Sequence, residues 1–157
     1  MKSKLFGAVL VLAFLSASAT LAADAQLMVP IHQFIDDFNK GDVKGAAAAH
    51  LSGASIIDEV PPHHWAGPGS VQAWAKSLMA ASKAAGQTDE KVTLGEPTRA
   101  DINGSHGYVV IPATFSYKEK GSAMKEPAQM TYALTRMKSG WKIAGWTWVG
   151  TTPQPDK

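Results

Sequence analysis

The sequence contains no cysteine in 157 residues. Disulfides, thiol nucleophiles, Cys-ligated zinc and iron–sulfur clusters are therefore excluded, and stability must come from core burial alone. Long apolar runs are also scarce. Residues 5–15 form one, too short to span a bilayer as a mature helix. Lys2 and Lys4 precede it and small residues follow from Ser16 to Ala25, the pattern of a secretory leader. Ala-x-Ala cleavage fits after Ala19 or Ala25, with looser matches after Ala22 or Ala23; Ala23 is the expected site. That assigns 1–23 to a leader and predicts a periplasmic or secreted protein, with no membrane contact after leader removal.

Removing 23 of 157 residues leaves 134, enough for one domain with a real core. Of the 15 basic residues two lie in the leader, so the remainder carries 13 basic against 13 acidic residues. A neutral surface lacks the Lys/Arg excess that drives phosphate binding, and no nucleic-acid partner is expected. There is no phosphate loop or dinucleotide fingerprint, since Gly67-Pro-Gly69 lacks the lysine and the spacing. No Gly-x-Ser-x-Gly elbow is present either.

What is present is an ordered series of amphipathic segments. Residues 27–39 place Leu27, Ile31, Phe34, Ile35 and Phe38 on one helical face, with Pro30 expected in the first turn and Gly41 at the stop. Asp42 can cap a short helix over 46–51. Residues 55–60 read as a strand carrying Asp58. Ser70 is expected to cap a third helix to about 85, with Val71, Trp74, Ala75, Leu78 and Met79 as its buried stripe. Four strands follow, over 91–99, 108–117, 128–137 and 141–149. Turn signals separate them at Asn103-Gly104, Gly121-Ser122 and Lys138-Ser-Gly140. Residues 153–157 read as a loose tail. Helices segregated from an antiparallel meander define an α+β domain over 24–152. The expected shape is a cone-shaped α+β barrel, three N-terminal helices on a curved, mainly antiparallel sheet, with a pocket at its mouth.

Phe38-Asn-Lys-Gly-Asp42, Ala54-Ser-Ile-Ile-Asp58, Trp65-Ala-Gly-Pro-Gly69 and Gly140-Trp-Lys-Ile-Ala-Gly-Trp-Thr-Trp148 together resemble the nuclear-transport-factor-2-like superfamily, which includes SnoaL-like cyclases and ketosteroid isomerases. The resemblance implies a cone with a pocket, frequent dimers and no universal cofactor. Against ketosteroid isomerases, Asp58 falls at the general-base position. Phe34 stands where a Tyr donor would be, and Ala133 where a protonated Asp donor would be. Without donors aimed at developing negative charge, that isomerase chemistry is not expected.

Candidate site residues follow from this picture. Asp58 is the candidate base or ligand contact, with His64 as its catalytic partner; Glu59 should point to the opposite face of the strand. The expected pocket wall comprises Phe34, Asp58, His63, His64, Trp65, Trp74, Tyr108, Tyr132, Trp146 and Trp148. No metal is expected. His63 and His64 are adjacent on an extended segment and point apart, and His32, His50 and His106 show no ligand spacing. No cofactor is expected. The leading reading is an exported domain that holds a small apolar or aromatic ligand without catalysis, and a homodimer. One alternative is an isomerase, cyclase or lyase using Asp58 with His64. Another is a structural dimer module of the cell envelope.

Overall fold

The computed structural model describes residues 11–157, with side chains from residue 25 onward. The expected leader over 1–23 falls outside the fully described part. Helix α1 (Val11–Asn39) contains Pro30 within its length rather than in its first turn. The helical periodicity of 27–39 begins at the domain's first buried residue, whereas the helix itself begins earlier. No described helix is long and apolar enough to cross a membrane.

Asp42 caps α2 (Val43–Ala48), accepting a hydrogen bond from the Gly45 N–H at 2.9 Å. The alanine-rich stretch then turns directly into strand β1 (His50–Ile57), so β1 starts earlier than its apolar pattern suggested. Strand β2 (His64–Trp65) folds back on β1, pairing Trp65 with Ile56 and His64 with Ile57. Helix α3 (Ser70–Ala85) is entered from Gly69, which has φ 80° and therefore favours glycine. Ser70 is thus the first helical residue and not the cap; its own N–H donates to the Gly67 carbonyl at 3.1 Å. Val71, Trp74 and Ala75 are buried as expected, but Met79 is 59% exposed. Gly86 ends the helix in the left-handed region.

The remaining strands are β3 (Gln87–Leu94), β4 (Arg99–Asn103), β5 (His106–Glu119), β6 (Ser122–Met137), β7 (Gly140–Gly150) and β8 (Gln154–Pro155). The expected 91–99 strand is split, and Pro97 lies in the gap between β3 and β4. The expected hairpins form, with Asn103 opposite His106, Glu119 opposite Ser122 and Met137 opposite Gly140. Residues 153–157 are not free: β8 pairs with β6, and Lys125 Nζ lies 2.8 Å from Asp156.

The sheet runs β2–β1–β7–β6–β5–β3, with β4 on β5 and β8 on β6. Every described pairing is antiparallel except β1 with β7. The sheet does not close. The three described helices cover its inner face, and the core joins Leu27, Ile31 and Phe34 of α1 to Ile56, Val109, Ile111, Tyr132, Leu134, Ile143 and Trp146. The carboxamide of Asn39 acts as a strand residue against the edge strand β3. It donates to the Val92 carbonyl and accepts from the Val92 N–H, both at 2.8 Å. That pair ties the end of α1 to the sheet and blunts its edge.

Candidate functional site

The alternation along β6 and β7 decides what faces the helices. Met130, Tyr132 and Leu134 of β6, and Trp146 and Trp148 of β7, are on the inner face. Phe34, Ile35 and Phe38 of α1 and Trp74 and Leu78 of α3 approach from the other side. Between them lies a cavity of about 50 Å³, completed by Asp58, Glu59 and Val60 past the end of β1, and by Val92, Phe115 and Met130. That enclosed volume holds a few waters or a small apolar group, and because the recess opens to solvent an aromatic ring would enter it only in part. Beside it the interior is filled by aromatic packing. Phe34 lies 5.4 Å from Trp146, and Trp74 meets Trp146 edge-on at 5.0 Å.

Asp58 is buried and sits one residue past β1. One carboxylate oxygen accepts the Val60 N–H at 2.9 Å, closing a local turn; the other accepts the Trp74 indole N–H at 3.0 Å. The turn is fixed further by Asp58 N–H to His63 O at 3.1 Å and His63 N–H to Val60 O at 2.8 Å. Because the turn interrupts strand alternation, Glu59 does not face away. It lines the same cavity as Asp58, and is its most exposed lining residue.

Glu126 of β6 is the residue the sequence reading missed at this mouth. It is 2% exposed, and one carboxylate oxygen accepts the Trp148 indole N–H at 3.1 Å. Glu59 and Glu126 converge over Gly150 of β7. A Cβ at Gly150 would overlap the Glu126 carboxyl and lie 2.7 Å from Glu59 Oε2, so only glycine leaves room for both. Burial, then the charge and hydrogen bond of Glu126, then the charge of Asp58, push the Glu59 carboxyl up to about 7. Tyr117 on β5 is raised from its ordinary value by its own burial and by Glu119, Glu126 and Glu59.

A second missed residue is His50, at the start of β1. Its Nε2 lies 3.1 Å from the Trp146 indole nitrogen, and its Nδ1 lies 2.8 Å from the Ala46 carbonyl. An indole N–H can only donate, so Nε2 accepts and the proton is on Nδ1. Burial, opposed by the Ala46 hydrogen bond and assisted by the Lys142 charge, drives the pKa down to about 4. His50 is therefore a neutral core histidine. Phe34 packs edge-on against its ring at 4.8 Å.

Of the expected wall, Phe34, Asp58, Trp74, Trp146 and Trp148 line the cavity, and five residues do not. His63 is exposed, with φ 72°, and its ring reaches the backbone carbonyl of Asp58 at 3.3 Å, not the carboxylate. His64 is exposed and bonds Ser55 Oγ at 3.1 Å. Trp65, its strand neighbour, takes the inward position, so His64 must face out. Tyr108 is 40% exposed on the outer sheet face. Tyr132 is fully buried, and its hydroxyl donates to Met130 Sδ at 3.1 Å. Ala133, assigned to the second donor position, is also on the outer face. The Asp58–His64 couple is not assembled. Among the described residues, no group of three His, Asp or Glu converges as metal ligands.

One regularity organises the site. The indole N–H groups of Trp74, Trp146 and Trp148 and the hydroxyl of Tyr132 are all committed to protein acceptors. The polar atoms left to meet a ligand are carboxylate oxygens.

Helices packed on one face of an open, mainly antiparallel sheet define a nuclear-transport-factor-2-like fold. The chain belongs to the SnoaL-like domain family, which matches residues 30–147. Solved structures agree. A nuclear transport factor 2-like superfamily protein from Salmonella enterica superposes with a TM-score of 0.68 at 15% identity, covering 88% of this chain and 94% of its own. A ketosteroid isomerase-like protein from Erwinia carotovora gives 0.66 at 14% identity, covering 82% and 96%. A hexachlorocyclohexane dehydrochlorinase gives 0.70 at 13% identity, covering 92% and 93%. At these identities the likeness is one of fold. No curated protein matches the chain in sequence.

Proposed function

We propose that this is an exported SnoaL-like domain that holds a small apolar or aromatic group in the mouth of its cone and does no chemistry on it. The observation that carries this reading is the commitment of every indole donor that lines the cavity, those of Trp74, Trp146 and Trp148, to a protein acceptor. Isomerases and lyases that form enolate-like intermediates need donors aimed at the developing charge, and losing one typically costs about a hundredfold or more in rate. This cavity offers aromatic rings and carboxylates in that place. Asp58 spends its two oxygens on the turn and on α3, which gives it a positioning role. The aromatic lining supplies area for a flat ligand.

The test is 19F NMR with 4-fluorotoluene, a small aromatic that stays neutral at every working pH. Binding is expected, with the ligand 19F resonance shifting and broadening as protein is added. Leu78→Trp, which fills the cavity from α3, should abolish it while the protein stays folded. Absence of binding, or undiminished binding to Leu78→Trp, contradicts the reading.

A second reading has its own observation. Ile57, Tyr108 and Val149 are 51%, 40% and 58% exposed. Ile57 and Tyr108 border one depression on the outer sheet face with Thr131 and Thr147. A second copy of the chain on that face would make the domain a dimer module; sedimentation of the protein, with Tyr108→Glu as the disrupting variant, reads this directly.

A further inference from the structure

The apolar stripe of α3 is longer than the surface it covers. Val71, Trp74 and Ala75 are buried, Leu78 is half-buried, and Met79 at the end of the stripe is exposed. Met79 borders a second cavity, of about 340 Å³, enclosed by the end of α1, by α2, by α3 and by β3. It is several times larger than the cavity at the mouth and falls within the range of small-molecule pockets, about 300–1,000 Å³. Phe38, Trp74 and Leu78 line both cavities. Ala46 and Ala75, whose side chains are single methyl groups, leave the space between α2 and α3 open.

Three lining residues carry polar side-chain groups, and two of them are engaged. The Asn39 carboxamide is consumed by both backbone groups of Val92. Lys40 extends into solvent and faces Asp37 at 3.7 Å. Glu90 is half-buried and, among the described residues, has neither a hydrogen-bond donor nor an ion-pair partner. A bulge puts it there. Thr88 pairs with Lys118 and Lys91 with Ser116, so Asp89 and Glu90 together oppose Tyr117. Asp89 takes φ 55°, and its carboxylate is held by Lys118 at 2.7 Å. Glu90, two residues before the buried Val92, keeps the side that faces the helices.

We propose that this second cavity binds an organic ammonium ion, its N–H groups on Glu90 and its aromatic or branched body against Phe38, Trp74, Leu78 and Met79. A carboxylate only accepts hydrogen bonds and an ammonium only donates them, so each completes the other. The rings of Phe38 and Trp74, 5.8 Å apart, add the attraction of an aromatic face for a cation. An anion is disfavoured there, because Glu90 repels it and Lys40 already faces Asp37. This site stands apart from the reading of the mouth cavity, whose test uses an uncharged probe.

The experiment compares 4-fluorobenzylammonium with 4-fluorobenzyl alcohol, the same ring without the charge, by 19F NMR at neutral pH. Backbone amide shifts locate the bound probe. The ammonium should bind about tenfold more tightly than the alcohol, as one charge-assisted hydrogen bond at a half-buried carboxylate allows. Amide shifts should appear at Val43, Ala75, Met79 and Glu90, which line this cavity and not the mouth. Glu90→Gln, at a half-buried position, should keep the fold and bind the two probes alike. Glu59→Gln, at the mouth, should keep the full preference for the ammonium. Equal affinity of the two probes for the wild-type protein overturns the proposal. So does a preference that survives Glu90→Gln or is lost in Glu59→Gln. Amide shifts confined to Val60 and Met130, which line the mouth alone, also overturn it, as does absence of binding by the ammonium.

Discussion

The two ends of β1 meet the same difficulty from opposite directions. At its start, His50 is sealed among Phe34, Trp146 and Ala46; past its end, Glu59 and Glu126 crowd the mouth beside Trp148. Each place pairs an indole N–H with a titratable acceptor. Burial is the first cause of both shifts, yet His50 moves down to about 4 and Glu59 moves up to about 7. The common direction is toward the neutral species, which is what a water-poor interior favours. The difference is access to water. His50 has nowhere to go when it is charged, so its charging strains the fold. Glu59 borders solvent, so water can meet its charge.

The pair of shifts makes opposed contributions to stability. His50 has a folded pKa below its ordinary 6.5, so its contribution is present above 6.5 and is lost as pH falls toward 4. At about 1.4 kcal/mol per unit this amounts to roughly 3 kcal/mol. Glu59 has a folded pKa above its ordinary 4.5, so the folded state holds the extra proton between 4.5 and 7, and stability falls as pH rises through that window. Its effect is the smaller because the side chain is largely in water. Between 4.5 and 6.5 the two slopes oppose each other. Replacing either residue should therefore unmask the other. Urea unfolding of His50→Gln should lose the acid-side decline and show stability falling from pH 4.5 to 7. Glu59→Gln should show stability rising from pH 4 to 6.5 more steeply than wild type. Parallel pH profiles for all three proteins would break the comparison.

A smaller effect is expected at Asp58, between the two ends. Asp58→Asn can accept from only one of its two present donors, leaving either the Val60 N–H or the Trp74 indole unmatched. The cost should be about 1–2 kcal/mol, read as a lower Tm, with binding of a neutral aromatic retained. Unchanged stability with lost binding would assign Asp58 to the ligand instead.

Much of the architecture was legible in local pattern. Asn103-Gly104 and Lys138-Ser-Gly140 marked their hairpins, and the Val71, Trp74, Ala75 stripe marked the buried side of α3. Trp146 and Trp148 shared a face as strand periodicity requires. The site was less legible because its contacts are long-range. His50 owes its state to Trp146, 96 residues away, and Glu126 to Trp148, 22 residues away. Neither pairing has a sequence signal. His63 and His64 misled for the opposite reason: closeness in sequence to Asp58 suggested closeness in space. The β1–β2 pairing turns Trp65 inward, and strand alternation then sends His64 out. Glu59 escaped because the turn at Asp58 breaks that same alternation.

The claim on which the functional account rests is that the cavity presents acceptors and no free donor. Absorbance titration of 4-nitrophenol with excess protein tests it most directly, because the spectrum reports whether the bound phenol is neutral or ionised. The account predicts that the neutral phenol is bound and that its ionisation shifts to higher pH than in water. Preferential binding of the phenolate, with ionisation shifted to lower pH, would reveal a free donor in the cavity and contradict the account.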